Sequence, residues 1–174
     1  GYHTYRPIVG IYDFSTTRPQ ILPGLMNEPG LLQQLKRNEN SKTIDLLLNI
    51  QGKTQRGMWY KSYSYSGDLI SNVQLQFPRK QALINGRIER LDNENLMIVG
   101  PYGIRNSPYS RGLFVGLIDT EGLYLSKFIN YADLPNFFDF MRDRRKARIN
   151  RRIAKRREKD KEPRFHFKVL LQDL

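Results

Sequence analysis

The sequence predicts a mainly β protein made of antiparallel four-stranded repeat units, propeller-like or forming an open sheet, with one long basic α-helix inserted. Two similar stretches 55 residues apart predict the repeat. The first reads Arg56-Gly57-Met58-Trp59 and continues to Gly67; the second reads Arg111-Gly112-Leu113-Phe114 and continues to Gly122. In both, Arg-Gly opens an apolar strand and a second glycine follows the first by ten residues. Self-similarity of this kind indicates one supersecondary unit that is used more than once.

The pattern divides the chain into an irregular N-terminal segment at 1–43, a first β repeat at 44–92, and a second β repeat at 93–174 that contains the inserted helix at about 133–161. The first part is irregular because four prolines interrupt any long element; they are Pro7, Pro19, Pro23 and Pro29. Within it we expect a short strand at 7–14 and one or two helical turns at 31–37, where three leucines fall on one side.

Strand patterns fill the first repeat. Apolar residues alternate along 44–50, which is the period-two signal of a half-buried strand. The runs 58–65 and 69–77 flank a turn that contains Gly67, so we expect them to pair as a hairpin. Residues 82–91 predict a further strand.

The second repeat has a similar pattern. Residues 96–99 are wholly apolar, as in a central strand, and 100–110 is rich in loop-forming residues. A second hairpin is expected from 113–118 and 123–128, and a last strand from the alternation in 165–171. Each unit then has about four antiparallel strands, which is how propeller blades are built.

The inserted helix carries most of the charge. Asp133 is expected to cap its first turn, which contains Pro135. Between Met141 and Glu162 there are twelve basic and four acidic residues, a net charge of +8 out of +12 for the whole chain. The basic character of the protein is therefore mainly a property of this helix.

Length and composition limit the class of protein. A chain of 174 residues with 39% hydrophobic and 11% aromatic content suits one packed domain rather than a disordered chain. The absence of cysteine excludes disulfides, thiolate metal sites and thiol nucleophiles. No apolar run reaches the roughly 18 residues of a membrane-spanning helix. Because the chain starts at Gly1 and ends inside a predicted strand, we expect a piece of a longer protein.

A family resemblance rests on the second repeat. The chain reads Arg111-Gly-Leu-Phe-Val-Gly116, then Tyr131-Ala-Asp-Leu-Pro-Asn-Phe-Phe138, and continues with the basic helix and the closing strand. This order of features resembles uncharacterised secreted or envelope proteins of the Bacteroidota. In that family, propeller-like β repeats are interrupted by a charged helical excursion. The resemblance covers about 96–174 and implies an envelope location, but it implies no catalytic residues.

The basic helix is the leading candidate site. Its residues suited to an anionic partner are Arg142, Arg144, Arg145, Arg148, Arg151, Arg152, Lys155, Arg156 and Arg157. Another protein chain, nucleic acid or anionic lipid would each supply negative charge, and a solvated helix without a ligand is the plainer alternative. The apolar residues of the helix form too narrow a stripe for a membrane-surface helix.

A second candidate is an aromatic contact surface made of Trp59, Tyr63 and Tyr65, which would stack on sugars or bases. Aromatic residues in strands also form cores and cross-strand pairs, and that alternative stays open.

No residue pattern indicates catalysis, a metal or a cofactor. The glycines of 100–112 lack the Gly-Lys-Ser/Thr of a phosphate-binding loop. His3 and His166 lack the spacing of metal ligands, and the sequence suggests no nucleophile beside either.

We therefore expect a non-catalytic binding or scaffold module of a larger bacterial cell-envelope protein, acting through protein–protein contacts in the periplasm or envelope. The alternative is a cytoplasmic nucleic-acid-binding protein that uses 142–161. No cofactor is expected in either case.

Overall fold

The computed structural model describes residues 8–12, 19–22, 29–51, 56–78, 80–92, 95–105, 107, 109–165 and 167–168. A first antiparallel sheet has the order β3 (Gly30–Asn38), β4 (Thr43–Gln51), β5 (Arg56–Ser64) and β6 (Leu69–Gln74). The short hairpin of β1 (Gly10–Tyr12) and β2 (Pro19–Ile21) is separate from it.

A second antiparallel sheet contains β7 (Gln81–Leu83), β8 (Arg87–Arg90), β9 (Leu96–Ile104), β10 (Tyr109–Asp119), β11 (Gly122–Asn130) and β12 (Phe167–Lys168). Its order is β11-β10-β9-β7, with β8 also paired to β9 and β12 to β10. The helix α1 (Asp143–Arg157) follows a 3-10 turn at Tyr131–Asp133. The mainly β prediction with antiparallel sheets is confirmed, and the sheets curl into a half-barrel.

Strand β4 is the centre of the fold. Ile44, Leu46, Leu48 and Ile50 pack in a cluster that includes Val9 and Leu22 of the β1–β2 region. On the opposite face, Leu47 packs in a second cluster between the two sheets. The prediction of a half-buried strand is therefore wrong, because the hairpin region covers one face of β4 and the second sheet covers the other.

The main core lies between the sheets. The first sheet and the residue directly after β6 contribute Leu47, Met58, Tyr60 and Leu75. The second sheet contributes Leu83, Ile88, Leu96, Ile98, Tyr102, Phe114 and Ile118. Every second residue of β9 and β10 is buried over most of their length, as the period of two requires. Phe114 lies 5.1 Å from both Phe77 and Phe128, measured between ring centroids, so aromatic packing continues to the edge of this core.

Both predicted hairpins are confirmed. β5 pairs with β6, and β10 pairs with β11. The turns contain Gly67 at φ +89° and Gly122 at φ +125°, a backbone conformation that favours glycine. In each of the two similar stretches of sequence, the second glycine lies where one strand of a hairpin connects to the next, between β5 and β6 or between β10 and β11.

The N-terminal segment is more regular than predicted. Residues 30–38 form strand β3 and not the helical turns expected at 31–37. The prediction of an irregular segment over 1–43 is therefore wrong for residues 30–38. Pairing with β4 from Gly30↔Ile50 to Asn38↔Thr43 satisfies the backbone groups on the side of β3 that faces β4. The expected short strand at 7–14 corresponds to β1 within the described residues 8–12.

Three strand boundaries also differ from the prediction. The strand expected at 82–91 is divided into β7 and β8, which pair with different parts of β9. The loop expected at 100–110 is short because β9 runs to Ile104 and β10 begins at Tyr109. The last strand is Phe167–Lys168; the remainder of 165–171 beyond it lies outside the described residues.

The helix is shorter than the predicted 133–161. Asp133 lies in the 3-10 turn and does not cap α1, whose N-cap position is Arg142. The intervening residues form turns that bring Phe137 and Phe138 against other aromatic rings. Phe137 stacks on Tyr131 at 4.3 Å, and Phe138 lies 5.4 Å from Phe165. Aromatic packing thus outweighs helix formation here.

A buried ionic network joins the two sheets. The Asp45 side chain is 1% exposed; its Oδ1 accepts hydrogen bonds from Tyr60 Oη and Ser62 Oγ, both at 2.8 Å. Its Oδ2 lies 2.8 Å from Nη2 of Arg90 on β8. A buried carboxylate is tolerated only when it is paired and hydrogen-bonded, and here the partners come from both sheets.

We expect Asp45→Ala to lower the free energy of unfolding by about 3–5 kcal/mol, because it leaves a partly buried arginine without its carboxylate. Glu89→Ala is the matched control. It breaks the exposed 2.8 Å pair with Lys36, which also joins β8 to the first sheet. The control should cost less than about 1 kcal/mol. Urea denaturation measures both, and equal losses would contradict a special role for Asp45.

The stability should also fall at high pH. Burial raises the pKa of Tyr60 and Tyr102, and the carboxylates of Asp45 and Glu162 raise them further. Because the pKa values of these two phenols are higher in the folded protein than the ordinary tyrosine value of 10.0, the unfolded chain loses these protons first. Stability is then fully present below about pH 10 and declines above it.

Tyr102→Phe should make the decline of Tm above about pH 10 shallower, since one shifted group is removed. Tyr12→Phe is the control, because Tyr12 is 51% exposed. Parallel Tm curves for the wild type and Tyr102→Phe would show that this phenol does not control the alkaline transition.

Candidate functional site

Helix α1 lies on the outer face of the second sheet. Its half-buried residues are Lys146, Ile149, Ile153 and Arg156, and all its other residues are exposed. These four recur at intervals of three and four, so they lie on one face of the helix. Ile149 and Ile153 pack against the cluster formed by Tyr131, Phe138, Met141 and Phe165.

Six cations form a separate surface, which we call the cation stripe: Arg144, Arg145, Arg148, Arg151, Arg152 and Lys155. At 3.6 residues per turn they fall within an arc of about 120° and extend for about 17 Å along the axis. All six are exposed. Within the described part of the chain, none of them forms an ion pair.

The other predicted cations have different surroundings. Arg142 is exposed just before the helix. Arg157 pairs with Asp133 at 2.6 Å, and Arg156 Nε donates to the carbonyl of Glu162 at 2.8 Å. The structure therefore places seven of the nine predicted residues on an open surface and engages two in contacts that hold the helix.

Glu162 anchors the chain after the helix. Its carboxylate lies 2.6 Å from Nη1 of Arg111, 3.1 Å from Tyr102 Oη and 3.2 Å from Asn130 Nδ2. All three partners belong to the second sheet. No local sequence pattern predicts this role, because the partners of Glu162 lie 32 to 60 residues away along the chain.

A cavity of about 550 Å³, the helix groove, separates α1 from residues 132–139. Leu134, Phe137 and Ile153 contribute apolar surface to it. Lys146 pairs with Asp139 and Arg157 pairs with Asp133, so an ion pair joins the two walls in each half of the helix. Phe140, next to this segment, is 76% exposed. Apolar and polar side chains line the groove in similar measure, and ion pairs join its two walls.

The predicted aromatic contact surface is wrong for Tyr63. This side chain is completely buried beneath the β1–β2 region, and Trp59 and Tyr65 are partly buried against the same cluster. Tyr65 Oη accepts a hydrogen bond from Arg37 Nε at 2.7 Å, and the guanidinium lies 4.9 Å from the ring centroid. The three residues complete a core rather than an open stacking surface.

No group of three or more potential metal ligands occurs in the part of the chain that the structure describes. His3 and His166 lie outside it. Within the described residues, no helix is long and apolar enough to cross a membrane.

No family model matches this chain, and no curated protein or solved structure matches it with significance. The resemblance to envelope proteins of the Bacteroidota therefore stays a prediction. The function has to be inferred from the residues of this chain and their geometry.

Glu162→Ala should lower the free energy of unfolding by about 1.5–3 kcal/mol, because it removes charge-assisted hydrogen bonds. It should also speed amide hydrogen exchange within α1. Glu158→Ala is the control, since Glu158 is exposed one residue after the helix. A Glu162→Ala exchange profile like that of the control would rule out the anchoring role.

Proposed function

We propose that the protein is a non-catalytic binding module that acts through protein–protein contacts, with α1 as its contact surface. Its partner on this surface is an acidic protein segment that carries a bulky apolar side chain. In keeping with the family resemblance, we place the module in a larger bacterial cell-envelope protein. The observation that carries the proposal is that one helix presents the exposed cation stripe on one side and lines a groove containing apolar residues on the other.

The cation stripe is unfavourable for the isolated protein. Arg144 and Arg148, Arg148 and Arg152, and Arg151 and Lys155 are like charges four residues apart, a spacing that destabilises a helix. An acidic partner would relieve this repulsion. The same charge would speed the approach of that partner, and the effect would weaken with salt.

The groove favours a protein over a polynucleotide as the partner. Protein interfaces combine a desolvated apolar centre with a polar rim, and a few buried apolar or aromatic anchors dominate their energy. Leu134, Phe137 and Ile153 in the helix groove, with the exposed Phe140, would supply the centre, and the ion pairs across the groove would supply the rim.

Nucleic acid is the second candidate. Five of the six residues of the cation stripe are arginine, whose fork of donors suits phosphate oxygens. Phosphate contacts alone would make such binding strongly salt-dependent.

Charge reversal tests the cation stripe. The stripe variant carries four substitutions: Arg144→Glu, Arg148→Glu, Arg151→Glu and Lys155→Glu. The control variant changes the net charge by the same amount at exposed positions elsewhere and carries Lys42→Glu, Lys80→Glu, Arg105→Glu and Lys127→Glu. The probe is a fluorescent peptide of Glu, Asp and two Phe residues. We expect the stripe variant to lose at least about tenfold in affinity and the control less than about threefold.

Groove filling tests the apolar centre. Ala154→Gln places a longer side chain in the groove, whereas Ala147→Gln changes an exposed alanine that does not line it. Only Ala154→Gln should weaken binding of the Phe-containing peptide, by about 3- to 30-fold, and neither should affect a Phe-free peptide.

Single-stranded DNA of about 20 nucleotides, at about 50 and 200 mM salt, separates the two candidates. Submicromolar DNA affinity at the higher salt without peptide binding would overturn the protein-partner proposal in favour of nucleic acid. The absence of binding to either probe would overturn both.

A further inference from the structure

A second, smaller cavity lies between α1 and the chain that returns after it. Its volume is about 50 Å³, and three arginines line it: Arg152, Arg156 and Arg164. Ile153, Pro163 and Phe165 supply apolar surface. We call this cavity the arginine notch.

The fold brings these arginines together. Arg152 and Arg156 are four residues apart and therefore neighbours on the helix surface. Arg164 arrives from the returning chain, where Pro163 and Phe165 on either side are buried and Arg164 is exposed. Glu162 fixes this chain to the second sheet, so Arg164 is held at the notch by the anchor described above.

No carboxylate balances the charge of the notch within the described residues. The ion pairs found there do not include Arg152, Arg156 or Arg164. Arg156 donates a hydrogen bond to a neutral acceptor, the carbonyl of Glu162, and the Glu162 carboxylate is engaged by Arg111. Apolar walls lower the local dielectric, which strengthens both the repulsion among the guanidinium groups and their attraction to an anion.

We propose that the arginine notch binds one tetrahedral oxyanion, a phosphate or a phosphoryl group. Arginine presents paired donors that match phosphate oxygens. A phosphoryl group carries a charge of about −1.5 to −2 at pH 7, so it neutralises the charge of three guanidinium groups more fully than a carboxylate does. Because the cavity is small, it would take only the phosphoryl group, and the remainder of a larger ligand would lie outside.

This inference rests on the notch and not on the groove on the other flank of the helix. Failure of phosphate binding would leave the proposed acidic protein partner intact. Conversely, loss of peptide binding in the stripe variant would not predict whether phosphate occupies the notch.

The test is a nuclear magnetic resonance titration of the full chain with sodium phosphate at constant ionic strength, against sodium chloride. We expect saturable shifts of the Nε–Hε signals of the three arginines. The variant Arg152→Gln with Arg164→Gln should weaken binding at least about tenfold. The matched variant Arg144→Gln with Arg148→Gln removes the same charge from exposed positions outside the notch and should change it less than about threefold.

Two results would overturn the proposal. One is a titration that does not saturate beyond the chloride response. The other is an equal loss of affinity in both double variants, which would mean general attraction to the helix. N-acetyl phosphoserine amide as a second titrant distinguishes the source: tighter binding than inorganic phosphate indicates a phosphoryl group on a partner, and weaker binding indicates free phosphate.

Discussion

A buried carboxylate that needs partners from two sheets is the constraint on which this structure depends. Asp45 lies on β4, the strand with core on both faces, and its hydrogen bonds come from Tyr60 and Ser62 on β5 while its ion pair comes from Arg90 on β8. An unpaired buried charge is costly, so the network specifies how the sheets stack as well as contributing to stability. The apolar core between the sheets supplies most of the driving force but is less directional.

The positions of three acidic residues explain which side of α1 is attached to the protein and which side is exposed. Glu162 faces Arg111 of the second sheet, and Asp133 and Asp139 face the cations along the groove. These acids attach α1 to the body of the protein. The six cations of the cation stripe are left without ion pairs among the described residues, and they are exposed. The cation stripe thus lies on the side of α1 away from the acids that attach the helix.

The candidate site was predictable only in part. Local charge density identified the arginines of α1, because a run of basic residues is visible in any window of the sequence. Arg164, Glu162 and the groove gave no such signal. Their importance depends on the turn of the chain after the helix and on contacts across 32 to 60 residues. The aromatic prediction failed at Tyr63 for a related reason, since alternation along a strand shows which residues share a face but not what covers that face.

By itself, the sequence determined the mainly β class, the two hairpins and their glycine turns, because period-two alternation and positive φ are properties of a few neighbouring residues. Only the tertiary structure decided that 30–38 is a strand, that β4 is buried on both faces, and that α1 begins at Asp143. The strand at 30–38 depends on pairing with β4, and the burial of β4 depends on the two layers that cover it. The start of α1 depends on the aromatic cluster against which the preceding residues pack. Such contacts outweigh the small differences in local propensity from which a sequence is read.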